Sequence, residues 1–130
     1  MMTVADLCLL GAVALYIGTI AIAKAKGRKQ FDNGNPRNPA FWRDPFRARA
    51  LGAHQNGIEN FPLFAAAVIL AEMRHAGQAM VDVLAVTYLL VRAAYVAAYL
   101  GDKPSLRSGL FALGLAVTVA IFCAPLWAKG

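Results

Sequence analysis

Four apolar stretches dominate the chain. Residues 7–23 carry no charge, residues 61–71 are apolar and extend backward through a polar segment, residues 83–101 are interrupted only by Arg92, and residues 109–128 are again uncharged. With helical flanks, each approaches the roughly 20 residues that a helix needs to cross a hydrocarbon core. The pattern predicts an all-α integral membrane protein, a four-span bundle occupying residues 1–130 as one domain. The first stretch also has the look of a signal peptide, because Ala21-Ile22-Ala23 mimics a cleavage site. The N-terminus Met1-Met2-Thr3-Val4-Ala5-Asp6 has no positive residue, which argues for a retained span.

Between the first two spans, residues 30–45 form the one real loop, marked by Asn33-Gly34, Asn35-Pro36, Asn38-Pro39 and Asp44-Pro45. Asp44-Pro45 reads as an N-cap followed by proline at the first helical position. The second helix is therefore expected to begin near Pro45, well before the membrane, with Arg47 and Arg49 on its first turns. Pro62 falls inside that helix and removes one backbone bond, which neighbours in a bundle re-satisfy. Asp102-Lys103-Pro104-Ser105 makes a tight connection, and the fourth helix is expected to start within 105–108.

Composition agrees with the pattern. The chain is 59% hydrophobic with a mean hydropathy of +0.53, too apolar for a soluble domain of 130 residues. The net charge of +6 is unevenly spread. Lys24, Lys26, Arg28, Lys29, Arg37, Arg43, Arg47 and Arg49 lie between spans one and two, and Lys103 and Arg107 between spans three and four; Arg74 and Lys129 alone lie on the opposite side. The positive-inside rule puts both basic loops in the cytoplasm and both termini across a membrane taken to be a bacterial inner membrane. The excess thus reports topology, with the run 24–29 touching anionic lipid, and no nucleic-acid partner is expected. Cys8 and Cys123 lie in apolar segments and read as small apolar side chains. His54 has no second His or Cys at metal spacing and reads as a surface or interfacial residue, so no metal is expected. Tyr16 reads as a lipid-facing or packing aromatic, Trp127 as an interfacial anchor, and Trp42 as a loop residue dipping into headgroups.

Polar residues at membrane depth are costly unless they face a protein interior, so they mark a candidate site. Arg49, Gly52, Asn56, Glu59 and Asn60 recur at helical spacing and share one face of the second helix. Tyr88, Arg92, Tyr95 and Tyr99 line one face of the third. Arg92 needs an acceptor at mid-span, and Glu59 is the candidate. Arg107 and Ser108 form a further group where the fourth helix opens. Guanidinium groups suit carboxylates, and carboxamides with a carboxylate suit peptide groups and an amine, so the set fits a small zwitterionic peptide-like molecule. An arginine beside a hydroxyl also lowers a thiol's pKa from its usual value of about 8.5. The bland alternative is that such residues only glue helices together.

Two blocks carry a resemblance. Arg49-x4-His54-x-Asn56-x2-Glu59-x2-Pro62 resembles the second-helix signature of the membrane-associated proteins in eicosanoid and glutathione metabolism, the MAPEG family. The preceding Arg43-Asp44-Pro45 is similar to the start of that helix in prostaglandin E synthase-type members. Arg92-x6-Tyr99-Leu100-Gly101 followed by Arg107-Ser108 is similar to the third-helix end and fourth-helix start of the same members. The order of the blocks and the span layout extend the resemblance over the whole chain.

The resemblance implies a homotrimer in membrane lipid, with glutathione as cofactor between neighbouring protomers near the cytoplasmic face. Carried over by position, it implies glutathione contacts from Arg49, Asn56, Glu59, Arg92, Tyr95 and Tyr99. It implies catalytic roles for Arg107, credited with stabilising the thiolate, and for Ser108, the adjacent hydroxyl. Two departures bear on affinity. Gly52 and Gln55 fall where prostaglandin-type members carry arginines that reach glutathione, and each charge-assisted bond not replaced costs about 1.5–3 kcal/mol. The expected activity is that of a glutathione transferase or peroxidase acting on a lipophilic electrophile or hydroperoxide. The rival is a non-catalytic lipid-binding trimer of the same fold, since the family includes such a member. A structural or transport-coupled subunit ranks last, because one Arg–Glu pair gives little room for a conducting path.

Overall fold

Capping chemistry sets the helix boundaries. A computed structural model describes all residues, Met1–Gly130, and contains five helices: α1 (Val4–Lys26), α2 (Pro39–Trp42), α3 (Pro45–Met73), α4 (Gln78–Leu100) and α5 (Pro104–Trp127). α1 opens with a reciprocal capping box, in which Asp6 N donates to Thr3 Oγ1 at 3.0 Å and Thr3 N donates to Asp6 Oδ2 at 2.9 Å. α3 starts where the Asp44-Pro45 pair predicts, with Arg47 N donating to Asp44 Oδ1 at 3.0 Å. α5 starts at Pro104, one residue before the expected window.

The segment 30–45 is not purely loop. Asn38-Pro39, which reads as a turn signal, caps one helical turn instead, with Ala40 N donating to Asn38 Oδ1 at 3.0 Å. This short α2 turns Phe41 into the protein, edge-on to Phe31 at 5.2 Å and under the Arg47 guanidinium at 4.4 Å. The turn exists because Phe41 has somewhere to be buried, which local propensity does not show.

α3 and α4 touch each other, and each touches both α1 and α5; α1 and α5 flank the pair without meeting. The core is built largely of small residues, among them Ala5, Cys8 and Ala12 on α1, Ala67 and Ala71 on α3, Ala85 on α4 and Ala124 on α5. Small side chains let backbones approach, which is how helices associate where lipid supplies no hydrophobic drive. At one crossing a Cβ on Gly57 would lie 2.7 Å from Cβ of Tyr16. Phe64 of α3 stacks on Tyr88 of α4 with ring centroids 3.9 Å apart and fills the middle of the interface. α1 contributes Ala5, Cys8 and Ala12 to this core, and Thr19 and Ala23 are buried further along it.

Three helices, α1, α4 and α5, are long and apolar enough to cross a membrane, and the protein is an integral membrane protein. α3 is the longest helix, at 29 residues, or about 43 Å. It fails the apolarity of a span because its first half carries the polar stripe, so the expectation of four apolar spans is met by three. Large apolar residues of α1 and α5, such as Leu7, Leu10, Leu113 and Val119, point outward, as a lipid-facing surface requires.

The ends of the helices differ in charge. The end formed by the α1–α3 connection and the α4–α5 corner carries the ten loop cations. At the other end Glu72 accepts from Thr3 Oγ1 at 3.0 Å and from Gln78 Nε2 at 2.9 Å, while Asp82 accepts from Ala5 N at 2.9 Å. There Gly77 N also donates to the Ala128 carbonyl at 2.7 Å, tying the C-terminal residues to the α3–α4 turn.

Candidate functional site

The polar face of α3 meets the aromatic face of α4, and the contact begins in mid-bundle. Arg92 is 4% exposed. Its Nη2 donates to Asn56 Oδ1 at 2.7 Å, and its guanidinium lies 4.1 Å from the Tyr95 ring centroid. Asn60 Nδ2 donates to the Asn56 carbonyl at 2.9 Å and to Asn56 Oδ1 at 3.2 Å. Arg92 therefore pairs with a carboxamide, not with Glu59 as the sequence suggests. The reason is angular. Three residues after Asn56, Glu59 has come about 60° short of a full turn, which carries it off the α4-facing line to the exposed side. No carboxylate salt-bridges Arg92; the salt bridges are Arg47–Asp44 at 3.8 Å and Arg49–Asp102 at 4.0 Å.

From Arg92 the site steps toward the cationic end. Tyr95 is buried and stands edge-on to half-buried Tyr99, centroids 5.7 Å apart. The Arg107 guanidinium lies 4.5 Å from the Tyr99 centroid. Arg92, Tyr95, Tyr99 and Arg107 thus form a cation–aromatic ladder, in which each guanidinium gains from the negative face of the ring beneath it. Arg107 is half-buried on the opening turns of α5, and Ser108 beside it is exposed. α5 has no side-chain N-cap, so its first-turn amides and its positive dipole end are free to favour an anion there.

Arg49 is engaged elsewhere. Its Nε donates to the Leu100 carbonyl at 3.3 Å, and its Nη1 lies 4.0 Å from Asp102 Oδ2. It closes the C-terminal end of α4 and braces the corner where Asp102 sits in the left-handed region at φ 56°. The exposed ion pair adds little, so Arg49→Ala should cost about 1 kcal/mol through the lost carbonyl bond. A lower thermal midpoint in detergent checks this; an unchanged midpoint means the corner holds itself.

His54 is half-buried and links two helices: its Nδ1 lies 2.7 Å from the Tyr16 carbonyl, joining α3 to α1. Tyr16 packs edge-on against both His54 and Phe61, so of its two sequence readings packing holds. On the outer side of the same helices, a groove of about 620 Å³ is lined by Ile20, Lys24, Arg37, Trp42, Leu51, His54 and Gln55, among others.

Of the expected site residues, the fold therefore brings Asn56, Arg92, Tyr95, Tyr99 and Arg107 into one connected row. Ser108 lies next to its end, Glu59 faces outward unpaired, and Arg49 serves the corner. Asn60 belongs to the row as the donor that fixes Asn56, a role legible in the i, i+4 spacing of two carboxamides.

The family model for the MAPEG family matches residues 4–127. The chain belongs to the MAPEG family. Both blocks of the resemblance and all the long helices fall inside that match. No curated protein and no solved structure matches the chain. MAPEG members include glutathione-dependent transferases and non-catalytic proteins, so membership alone leaves the activity to the chemistry of the site.

Proposed function

We propose that this MAPEG protein binds glutathione, holds it as the thiolate and directs it at a lipophilic electrophile delivered from the bilayer. The observation that carries this reading is the half-buried Arg107 guanidinium held 4.5 Å over Tyr99 at the uncapped start of α5. A fixed cation at the positive end of a helix is the setting that depresses a thiol's pKa from about 8.5 toward neutrality. In the transfer step the thiol proton passes to solvent, the sulfur lone pair forms the new bond to the electrophilic carbon, and the leaving group departs with its bonding pair. Arg107 stabilises the charge on sulfur, and Ser108 donates a hydrogen bond to it.

Glu59 supports assembly of the complete site from more than one copy. An unpaired, exposed carboxylate half-way along α3 is costly against lipid. A neighbouring protomer of the expected homotrimer covers it, and the glutathione amine gives it a partner. The groove contributes Lys24 and Arg37, which supply cations that Gly52 and Gln55 do not. The cationic end then faces the cytoplasm, where glutathione is available.

One observation favours the lipid-binding alternative. Arg49, Asn56 and Arg92 already have partners within the protomer, which leaves fewer groups for a peptide-like ligand. Titration of the detergent-purified protein with glutathione, followed by thiolate absorbance at neutral pH, separates the two. Saturable thiolate formation is the expected result. No binding, with a lipid retained through purification, overturns it in favour of the alternative.

A further inference from the structure

Gly52 lies on α3 directly opposite Tyr99. A Cβ built there would overlap the Tyr99 hydroxyl oxygen, with Cζ at 2.9 Å and Cε1 at 3.4 Å. No other residue type leaves room for the ring in this position, so the glycine is a notch and the tyrosine is seated in it. The seated ring is the one over which Arg107 lies, 4.5 Å from the centroid, and its other contact is the edge of Tyr95. One helical turn before the notch, Arg49 reaches the Leu100 carbonyl and Asp102, so the same end of α3 fixes the backbone on which Tyr99 and the start of α5 are carried.

We propose that Gly52 is a positioning residue: its notch sets the tilt of the Tyr99 ring, and through that ring the place of the Arg107 guanidinium. The inference rests on the glutathione reading for its functional consequence, but the notch is a statement about packing and stands apart from it. A guanidinium held by a ring face is directed without being neutralised, whereas a carboxylate in that role would cancel the charge offered to a thiolate.

The test is a set of four proteins: wild type, Gly52→Ala, Tyr99→Leu and the double variant. Two readouts are taken, the thermal midpoint in detergent and the pH midpoint of glutathione thiolate absorbance. Gly52→Ala should lower the thermal midpoint, and this loss should largely vanish in the Tyr99→Leu background, where no ring meets the new methyl group. Equal losses in both backgrounds overturn the notch. In the functional readout, Gly52→Ala should raise the thiolate pH midpoint by about one pH unit, a tenfold change in ionisation equilibrium. An unmoved midpoint in Gly52→Ala overturns the positioning role while glutathione activation stands. Absence of thiolate in wild type overturns the glutathione reading, and with it the functional half of the proposal, while the thermal cycle still decides the notch.

Discussion

Arg107→Ala should give a folded, assembled membrane protein that no longer ionises glutathione at neutral pH. Truncation removes the ladder's terminal cation, and none of the hydrogen bonds or salt bridges that join the helices involves the Arg107 side chain. Secondary structure and oligomeric size are therefore expected to be those of the unaltered protein. Removing one preorganised donor from a developing anion typically costs about a hundred- to a thousandfold in turnover. A loss of that size, measured with a generic electrophile under saturating glutathione, is the expected result. Arg107→Lys should recover part of it, because a lysine keeps the charge but loses the planar face that lies on Tyr99. Undiminished turnover in the alanine variant removes Arg107 from the chemistry.

The largest effect on stability is expected from Phe64→Ala. Phe64 has no exposed surface and is stacked on Tyr88 where α3 meets α4. In a bilayer the apolar transfer component shrinks, because the separated helices rest in lipid as apolar as the core. The cavity component remains: removing roughly 100 Å³ of ring at about 24 cal/mol per Å³ gives about 2–3 kcal/mol. The thermal midpoint in detergent should fall sharply. Phe64→Leu, which refills most of the space, should fall much less. Equal effects from the two variants mean that ring stacking, not volume, holds this interface.

The parts of this molecule that were readable in its sequence are those set by local rules. The start of α3 at Pro45 follows from one cap and one proline, and the membrane character follows from long apolar runs. The faces of α3 and α4 follow from helical spacing, and they do meet. What escaped is what depends on azimuth and register between helices. Glu59 and Asn56 are three residues apart on one nominal face, yet only Asn56 reaches Arg92, because the antiparallel register admits one of them. Arg49 resembles a ligand residue by position, and its bond to a carbonyl 51 residues away was not legible in the sequence. α2 escaped because its stability comes from burying Phe41 beneath Arg47, a contact with another helix.

The bond between Arg92 and Asn56 also bears on how the chain is made. Synthesis runs from the N-terminus, so α3 emerges before α4. Asn56, already fixed by Asn60 one turn along the same helix, is waiting when Arg92 is delivered to the membrane. A lone arginine at the centre of an inserting helix is disfavoured by about 2.5–3.5 kcal/mol. The acceptor lies upstream, so the partner of the Arg92 guanidinium belongs to a helix made before α4, and that pairing does not depend on α5.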